Sequence, residues 1–385
     1  MNPNLLLYLQ MIVREIESII KERLFKKKAI IISGPRQVGK TTLVSNIVNS
    51  LSLPHVWFNG DEPSATSLFK NISSGELRQM FGKNKIVVID EAQKIENIGL
   101  TLKIIVDNLP DIQVIAIGSS SLELGNEVNE PLTGRKIEYF LYPISYEELI
   151  NQHGSIKEKE QLSNRLIFGS YPEIINHPED AKENLKWLAD SYLYKDLLNL
   201  DTIKKPSLLT KLLQALSWQV GSEVSYHEIS QTIGSDPKTV EKYMDLLEKA
   251  YVIFRLQPLS RNLRNELKKT RKVYFYDNGI RNAIIGNFNR PDVRQDIGVL
   301  WENYLISERK KYLGYHQVFS NQFFWRTAQK QEIDYIEEYD GTFHAFEFKF
   351  NPKKKFTISK TFTQAYPSHT FALVNSANYH TFLTS

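Results

Sequence analysis

The sequence predicts an α/β protein whose first domain is built on a parallel β-sheet, and two stretches carry this prediction. The apolar residues 29–32 lead into GPRQVGKTT at residues 34–42, and an amphipathic stretch begins at Leu43. This is the order strand, glycine-bounded loop, helix. The stretch KIVVIDE at residues 85–91 places four apolar residues directly before two acids. That pattern is typical of a buried parallel strand whose carboxyl end opens onto a ligand crevice.

Length and composition narrow the class of protein. The chain has 385 residues, enough for two or three domains that each bury a core, and it contains no cysteine. Disulfides and thiolate metal sites are therefore excluded, and we expect a cytoplasmic protein. Residues 1–25 open with leucines but are interrupted by charges, which favours an amphipathic helix over a signal peptide. No stretch approaches the length of a transmembrane helix, so we expect no membrane partner. The net charge of +4 is too small to indicate nucleic acid by itself.

The loop at residues 34–42 matches the phosphate-binding pattern G-x-x-x-x-G-K-[ST]. Its two glycines let the backbone curl so that N–H groups face phosphate oxygens, and the helix N-terminus adds its positive dipole end. Lys40 is predicted to reach the β- and γ-phosphates of ATP, and the Thr41 hydroxyl to ligate Mg²⁺. The predicted nucleotide-binding residues are Gly34, Pro35, Arg36, Gln37, Val38, Gly39, Lys40, Thr41 and Thr42. The alternative is a glycine-rich turn that happens to precede a lysine.

The two acids after the strand at residues 85–91 are the predicted catalytic partners of this loop. Asp90 is expected to bind Mg²⁺ directly or through water, and Glu91 to orient or deprotonate the attacking water. An acidic pair at a strand end is also a common helix cap, but the preceding phosphate loop favours catalysis. Because a carboxylate lies next to the metal ligand, we expect hydrolysis of ATP rather than phosphoryl transfer to a metabolite.

The rest of the first domain supplies two further candidate groups. Residues 55–59 and 113–118 predict strands, and residues 64–81 predict one or two helices. If the strand at 113–118 lies beside the Asp90 strand, the serines at 119–121 would lie near the γ-phosphate, although they can equally cap the next helix. Arg135, just before a strand at 137–141, is predicted to meet the γ-phosphate in the same chain or in a neighbouring subunit. A solvated arginine at a strand end is the alternative.

Five motifs together carry a resemblance to a known family. In chain order they are GPRQVGKTT, IDEAQ, GSSSLEL, LTGRKIEYFLYPISYEEL and FGSYPE. With them the chain resembles the bacterial and archaeal AAA-type P-loop ATPases that carry a C-terminal DUF4143 domain, and the resemblance covers nearly the whole chain. It implies a P-loop fold of the additional-strand type with Lys40, Thr41, Asp90 and Glu91 at the nucleotide site. The sequence offers no identifiable second sensor arginine, and a role of Arg135 in a neighbouring subunit presumes an oligomer.

The chain beyond the ATPase domain is predicted to form three more segments. The predicted boundaries are 1–150 for the ATPase domain, 151–205 for a helical lid or connector, 206–280 for a winged-helix domain and 281–385 for an α/β domain. Residues 225–256 predict a helix ending at Gly234, a second helix capped by Asp236, and a strand, which together look like a winged helix-turn-helix.

This segment makes DNA a predicted partner. Lys238, Thr239 and Lys242 would be offered to a major groove. A run of basic residues would track phosphates and consists of Arg255, Arg261, Arg264, Lys268, Lys269, Arg271 and Lys272. Winged helices also serve as packing or protein-contact modules, so a protein partner is the alternative.

Residues 331–350 alternate in polarity on both sides of Asp340-Gly341, which predicts a β-hairpin. If those two residues form the loop, Tyr335 faces Phe346 and Asp334 faces Glu347. Two facing carboxylates repel by up to about 1 kcal/mol, and a divalent cation between them would offset the repulsion.

The predicted metal ligands are Glu302, on a preceding helix, together with Asp334 and Glu347. Lys349 would stabilise an attacking hydroxide or the pentavalent phosphate. This arrangement resembles the restriction-endonuclease-like PD-(D/E)XK nuclease fold. The alternatives are a plain surface network in which Lys349 and Arg326 hold the acids apart, or the fold without activity.

Two functional hypotheses follow from these patterns. The first is an ATP-dependent machine acting on DNA, with Mg-ATP hydrolysed by the first domain, DNA contacted by the winged helix, and a nuclease-like rear domain. The second is a nucleotide-switched binding or scaffold protein with a catalytically silent rear domain and a protein partner or a second copy of itself. A small-molecule kinase is disfavoured by Glu91 and by the two extra domains.

Overall fold

The computed structural model describes residues 12–118, 131–191, 205–260 and 271–385. These residues divide into two compact units. The first contains the chain up to Ile144 together with Lys249–Tyr251, and the second contains Ser145–Glu248 and Val252–Ser385. The predicted segments beyond residue 150 are therefore not three separate compact bodies.

A five-stranded parallel sheet forms the centre of the first unit. Its strands are β1 (Ala29–Ser33), β2 (His55–Asn59), β3 (Ile86–Asp90), β4 (Gln113–Gly118) and β5 (Lys136–Phe140). They lie in the order β2-β3-β4-β1-β5, and each neighbouring pair is parallel. Because β4 lies between β1 and β3, the prediction of a parallel sheet with an additional strand is confirmed.

Burial in this sheet follows the apolar runs of the sequence. β4 is buried along its whole length, and β1 and β3 are buried at all but their last residue. The edge strands β2 and β5 are partly exposed, as expected for strands with one neighbour. The helices of this unit are α1 (Ile16–Arg23), α2 (Lys40–Leu51), α3 (Pro63–Leu68), α4 (Ser74–Phe81) and α5 (Ile98–Asn108). The helical prediction for the N-terminal region is confirmed over α1, which buries Ile16 and Ile20, and residues 1–11 lie outside the described chain.

The second unit combines helices with one mixed sheet. Its helices are α6 (Tyr146–His153), α7 (Ser155–Glu160), α8 (Leu162–Phe168), α9 (Pro172–Asn176), α10 (Ala181–Ser191), α11 (Pro206–Trp218), α12 (Tyr226–Ile233), α13 (Pro237–Lys249), α14 (Asn278–Ile284), α15 (Ile297–Tyr315), α16 (Lys360–Ala365) and α17 (Tyr379–Thr384). Its strands are β6 (Glu223–Val224), β7 (Ile253–Pro258), β8 (Arg271–Phe275), β9 (Asn321–Arg326), β10 (Glu332–Tyr339), β11 (Thr342–Lys349) and β12 (His369–Asn375). In the part of the chain that the structure describes, no helix is both long enough and apolar enough to cross a membrane.

The segment from α12 to β7 has the predicted order of helix, helix and strand. α12 ends at Gly234, whose φ of +73° lies in the left-handed region that glycine favours. α13 begins after Asp236, whose carboxylate accepts the backbone N–H of Thr239 at 3.0 Å. Both β6 and β7 pair antiparallel with β8. The strand begins at Ile253 and not at Tyr251, because Tyr251 has a φ of +60°, which is incompatible with an extended chain.

The sheet of the second unit is continuous through seven described strands in the order β12-β11-β10-β9-β7-β8-β6. β10 and β11 form the predicted hairpin, and its register from Tyr335 opposite Phe346 to Tyr339 opposite Thr342 is the predicted one. β7 pairs in parallel with β9, from Gln257 opposite Phe323. This pairing joins the predicted winged-helix and C-terminal segments, so the two lie in one compact unit.

Candidate functional site

The loop between β1 and α2 has a backbone that only glycine can adopt at two positions. Gly34 has a φ of +149°, and a Cβ placed there would lie 2.2 Å from the backbone oxygen of Leu141. Gly39 has a φ of +91° and immediately precedes the first turn of α2. Any larger residue at Gly34 would collide with backbone, so the curl of the loop depends on this glycine.

Lys40 is the first residue of α2 and is only 7% exposed. Its Nζ donates hydrogen bonds to the carbonyl oxygens of Gly34 at 2.9 Å and Pro35 at 2.7 Å. The ammonium group is therefore held against the backbone of the first residues of the loop.

Thr41 and Asp90 come into direct contact although 49 positions separate them in the chain. The Thr41 hydroxyl donates to Oδ2 of Asp90 at 2.8 Å, and Oδ1 of Asp90 accepts the backbone N–H of Glu91 at 2.9 Å. A hydroxyl and a carboxylate side by side are the hard oxygen ligands that Mg²⁺ prefers, usually with several waters retained. The donor atoms and the adjacent glycine-lined loop fit Mg-ATP.

Glu91 follows β3 in a left-handed conformation, with a φ of +47° and a ψ of +41°. This region is uncommon for residues other than glycine and is enriched at functional sites. Its Oε2 accepts a hydrogen bond of 2.6 Å from Nε2 of Gln93, so the carboxylate is held by a residue two positions further along the chain. Gln93 is not among the residues predicted from the sequence, although its place in the IDEAQ motif two positions after Glu91 indicates such a contact.

Arg135 does not lie near this loop, and its predicted contact with a nucleotide bound to the same chain is wrong. It precedes β5, and its backbone oxygen accepts the N–H of Ala29, the first residue of β1. The loop leaves the other end of β1, after Ser33. Arg135 instead pairs with Asp107, with Nε 2.7 Å from Oδ1. Parallel pairing fixes this outcome, because residues before two parallel strands share the amino edge of the sheet. Its action on a neighbouring subunit stays a prediction.

The strand at 113–118 does lie beside the Asp90 strand, with Ile86 opposite Gln113 and Ile89 opposite Ala116. That placement was the condition for the predicted sensor role of the serines. Residues 119–121 lie outside the described residues, so their role stays a prediction.

The predicted DNA-contact residues divide into exposed and internal groups. Lys238 and Lys242 are exposed on α13. The hydroxyl of Thr239 donates to Oδ2 of Asp236 at 2.7 Å, so this side chain helps to cap the helix. Arg255 is not part of a phosphate-tracking wing, because its guanidinium is neutralised by two acids. Its Nε lies 2.8 Å from Glu248 and its Nη2 lies 2.7 Å from Asp245.

Lys272 is also wrongly assigned to the basic run, since it is only 1% exposed. Its Nζ lies 2.6 Å from Oε1 of Glu332 and 3.1 Å from Oε1 of Glu302. The same oxygen of Glu302 accepts a hydrogen bond of 2.7 Å from the Tyr274 hydroxyl. Among the other members of the run, Arg261, Arg264, Lys268 and Lys269 lie outside the described residues.

The predicted C-terminal constellation does come together in one electrostatic cluster. Asp334 is 8% exposed, and burial raises its pKa well above the usual range, with further increases from the charges of Glu302 and Glu347. Lys272 and a hydrogen bond from the backbone N–H of Phe348 lower the pKa of Asp334. Lys349 donates to Oε1 of Glu347 at 2.6 Å, while burial raises the pKa of Glu347.

The side chains of this cluster are not arranged as the predicted metal site requires. Within residues 12–118, 131–191, 205–260 and 271–385, no group of three or more His, Cys, Asp or Glu side chains is arranged to hold a metal ion. The binding of a divalent cation by Glu302, Asp334 and Glu347 therefore stays a prediction that this side-chain arrangement does not support. The repulsion that motivated it is real, but the buried ammonium of Lys272 offsets it. Lys349 pairs with Glu347, as the surface-network alternative required, whereas Arg326 lies near Glu223 and Glu332.

Comparisons with known families match three parts of the chain. Residues 26–150 match an AAA domain, residues 159–291 match a domain of unknown function, DUF8612, and residues 297–381 match a second domain of unknown function, DUF4143. Together with the loop and strand geometry, the first match defines residues 26–150 as an AAA-type P-loop ATPase-like domain. The presence of a DUF4143 segment after it agrees with the resemblance seen in the motifs.

Similar proteins occur in bacteria and archaea. An uncharacterized protein of Mycobacterium tuberculosis is 25% identical over 345 residues, which cover 87% of this chain and 73% of that protein. An uncharacterized protein of Methanocaldococcus jannaschii is 26% identical over 305 residues, covering 67% of this chain and 63% of that protein. Among solved structures, the Thermotoga maritima RuvB Holliday junction branch migration motor is 18% identical with a TM-score of 0.31, covering 67% of this chain and 95% of that one. The Pif1 helicase from Candida albicans is 14% identical with a TM-score of 0.27, covering 46% and 48%.

Proposed function

We propose that the protein binds and hydrolyses Mg-ATP at the loop between Gly34 and Thr41. The observation that carries this proposal is the 2.8 Å hydrogen bond between Thr41 and Asp90. This contact supports the proposal because the two side chains expected to ligate Mg²⁺ meet beside a glycine-bounded loop of the phosphate-binding pattern.

Each residue of the site has a defined part in this proposal. The backbone N–H groups of the loop and the Lys40 ammonium bind the β- and γ-phosphates. Thr41 and Asp90 hold Mg²⁺, which when bound neutralises charge that develops on the phosphate oxygens. Glu91 orients the attacking water and accepts its proton, while Gln93 holds the Glu91 carboxylate in place.

The test compares Lys40→Ala and Glu91→Gln with the wild-type protein. We expect both variants to lose ATP hydrolysis, with Glu91→Gln still binding ATP because its amide cannot accept the proton but leaves the loop intact. Ser50→Ala is the matched control, since Ser50 is exposed near the far end of α2. Unimpaired turnover in both Lys40→Ala and Glu91→Gln would remove the assignment of this site.

We also propose that the predicted winged-helix segment, residues 206–280, contacts DNA. The support is the element order from α11 to β8, in which β6 and β7 both pair with β8, and the exposed Lys238 and Lys242 on α13. With Arg255 and Lys272 paired internally, Arg271 is the described member of the basic run that remains, in addition to Lys238 and Lys242 on α13.

For the C-terminal segment, the cluster around Lys272 favours one part of the second hypothesis, a rear domain without phosphodiester cleavage. A buried ammonium among the acids supplies the positive charge that a catalytic metal would supply, and it leaves Glu302 already paired. Purified protein mixed with supercoiled plasmid and Mg²⁺ or Mn²⁺, with and without ATP, should leave the plasmid intact. Nicking that disappears in Lys349→Ala would instead support the nuclease hypothesis.

A further inference from the structure

A residue that precedes the matched AAA domain reaches the phosphate loop. Arg14 lies just before α1, and the residue is only 7% exposed. Its Nη1 donates to the carbonyl oxygen of Val38 at 2.7 Å, and its Nη2 donates to the carbonyl oxygen of Tyr142 at 2.7 Å. One side chain thus joins the loop to the segment that follows β5.

The need for such a donor follows from the backbone geometry of the loop. A loop that turns its N–H groups inward, towards phosphates, turns carbonyl groups outward, and a buried carbonyl needs a hydrogen-bond donor. Val38 is fully buried and directly precedes Gly39 and Lys40. Arg14 supplies the donor, and its planar guanidinium fixes the separation of the two carbonyl groups that it binds.

Both ends of the loop are therefore held by the same short segment. At the first end, Gly34 packs against the backbone oxygen of Leu141, where a Cβ would lie only 2.2 Å away. At the second end, Arg14 ties Val38 to the adjacent Tyr142. With both ends held, the loop keeps its curl without contacts from a ligand.

We propose that Arg14 is a positioning residue that holds the phosphate loop in the conformation that receives a triphosphate. This inference rests on the proposed function of the loop. Arg14 acts through the loop backbone, so its loss should weaken nucleotide binding by allowing the loop to sample other conformations.

The test uses full-length Arg14→Ala and Arg14→Lys, with Arg23→Ala as the control because Arg23 is an exposed arginine on α1. The dissociation constant for Mg-ATP should rise about tenfold or more in Arg14→Ala, since two buried hydrogen bonds from a charged donor are lost. The dissociation constant of Arg14→Lys should lie between those of the wild type and Arg14→Ala, because an ammonium group keeps the positive charge but lacks the forked geometry of the guanidinium. Arg23→Ala should bind as the wild type does.

A second measurement separates positioning from general stability. In the protein without nucleotide, amide hydrogen exchange of residues 36–40 should become faster in Arg14→Ala and Arg14→Lys, while exchange in β4 stays unchanged. Equal exchange in the loop and unchanged affinity in both variants would overturn the inference. If exchange in β4 became faster to the same extent as in residues 36–40, Arg14 would stabilise the whole unit and not the loop alone. That result would also overturn the inference.

The two proposals fail in different ways. If the wild-type protein does not bind Mg-ATP, the proposed function fails, whereas the exchange measurement still tests whether Arg14 holds the loop. If the wild type binds ATP and Arg14→Lys and Arg14→Ala bind it equally well, only the positioning role of Arg14 fails.

Discussion

The hydroxyl of Thr41 donates a hydrogen bond to Oδ2 of Asp90, and this contact spans two strands that are not neighbours. Thr41 lies in the first turn of the helix that follows β1, while Asp90 ends β3, and β4 lies between β1 and β3. Strands two places apart are separated by about 10 Å, so only a side chain projecting from the helix start can bridge to the acid. The additional strand thus sets the spacing of the candidate Mg²⁺ site.

Replacing Thr41 by Val should remove the Mg²⁺ dependence of nucleotide binding. The methyl group cannot ligate a cation, so we expect kcat/KM for ATP to fall by about 100-fold, or about 2.7 kcal/mol. Titration of activity and of ATP affinity with Mg²⁺ measures this effect. Affinity for ATP in the presence of a chelator should match that of the wild type, and an unchanged Mg²⁺ titration would contradict the role of Thr41.

Gln93→Ala should lower kcat without changing KM for Mg-ATP, because Gln93 donates its hydrogen bond to the Glu91 carboxylate, whose proposed role is in the chemical step. Misplacement of a catalytic group by about 1 Å can cost up to about 100-fold in rate, and we expect a decrease of at least about tenfold. Steady-state kinetics over a range of ATP concentrations separate the two constants. Adding Gln93→Ala to Glu91→Gln should cause no further loss, since the group that Gln93 holds is already inactive. If the two substitutions instead lowered kcat by independent factors, Gln93 would not act through Glu91.

Lys272→Met should destabilise the second unit by about 3 kcal/mol, because the partly buried Glu302 and Glu332 lose their paired cation. The loss should depend on pH. The pKa of Asp334 is raised in the folded protein, so its contribution to stability falls as pH rises from the unfolded value through the folded one. Lys272 lowers this pKa, and removing Lys272 raises it further.

The deficit of Lys272→Met should therefore be smaller at about pH 4.5 than at about pH 8. Urea denaturation at both pH values measures it, with the exposed Lys353→Met as the control. A deficit of the same size at both pH values would show that Asp334 is not coupled to this ammonium. If added Mg²⁺ or Mn²⁺ returned the stability of Lys272→Met to that of the wild type, the cluster would accept a metal in place of the lysine.

Lys238→Ala and Lys242→Ala should each weaken DNA binding to a similar extent across sequences. Loss of one phosphate contact should reduce the slope of log affinity against log salt concentration by about 1. Lys211→Ala is the control, because Lys211 is an exposed lysine on α11. Fluorescence anisotropy with duplex DNA at several salt concentrations gives the slopes. A wild-type affinity that does not change with salt would contradict the DNA-contact proposal.

Local patterns were sufficient for much of the fold. The apolar runs of β1, β3 and β4 predicted buried parallel strands, and Gly234 and Asp236 predicted the boundary between α12 and α13. Asp340-Gly341 predicted the hairpin and its register, since positive φ at both loop residues is needed there and is observed. In each case the determining interactions lie within a few residues of one another.

Contacts between distant parts of the chain were beyond the reach of these patterns. A run of basic residues predicts a charged surface. Lys272 is instead buried, because β8 joins the same sheet as β10, which carries Glu332, and because Glu302 of α15 also contacts the Lys272 ammonium. Arg135 is at the edge of the sheet opposite to the loop because of parallel strand pairing.

The sequence by itself identified the phosphate-loop glycines, Lys40, Thr41, Asp90 and Glu91 as a candidate ATP site. Two short local patterns were sufficient, because the steric and charge requirements of phosphate binding restrict which residues can occupy them. Only the tertiary structure decided that Arg14 reaches Val38, that Gln93 holds Glu91, and that Lys272 stands among the C-terminal acids. The physical reason is that hydrogen bonds and ion pairs depend on distance in space. For residues far apart in the sequence, that distance is set by how the sheet and helices pack and not by their positions in the chain.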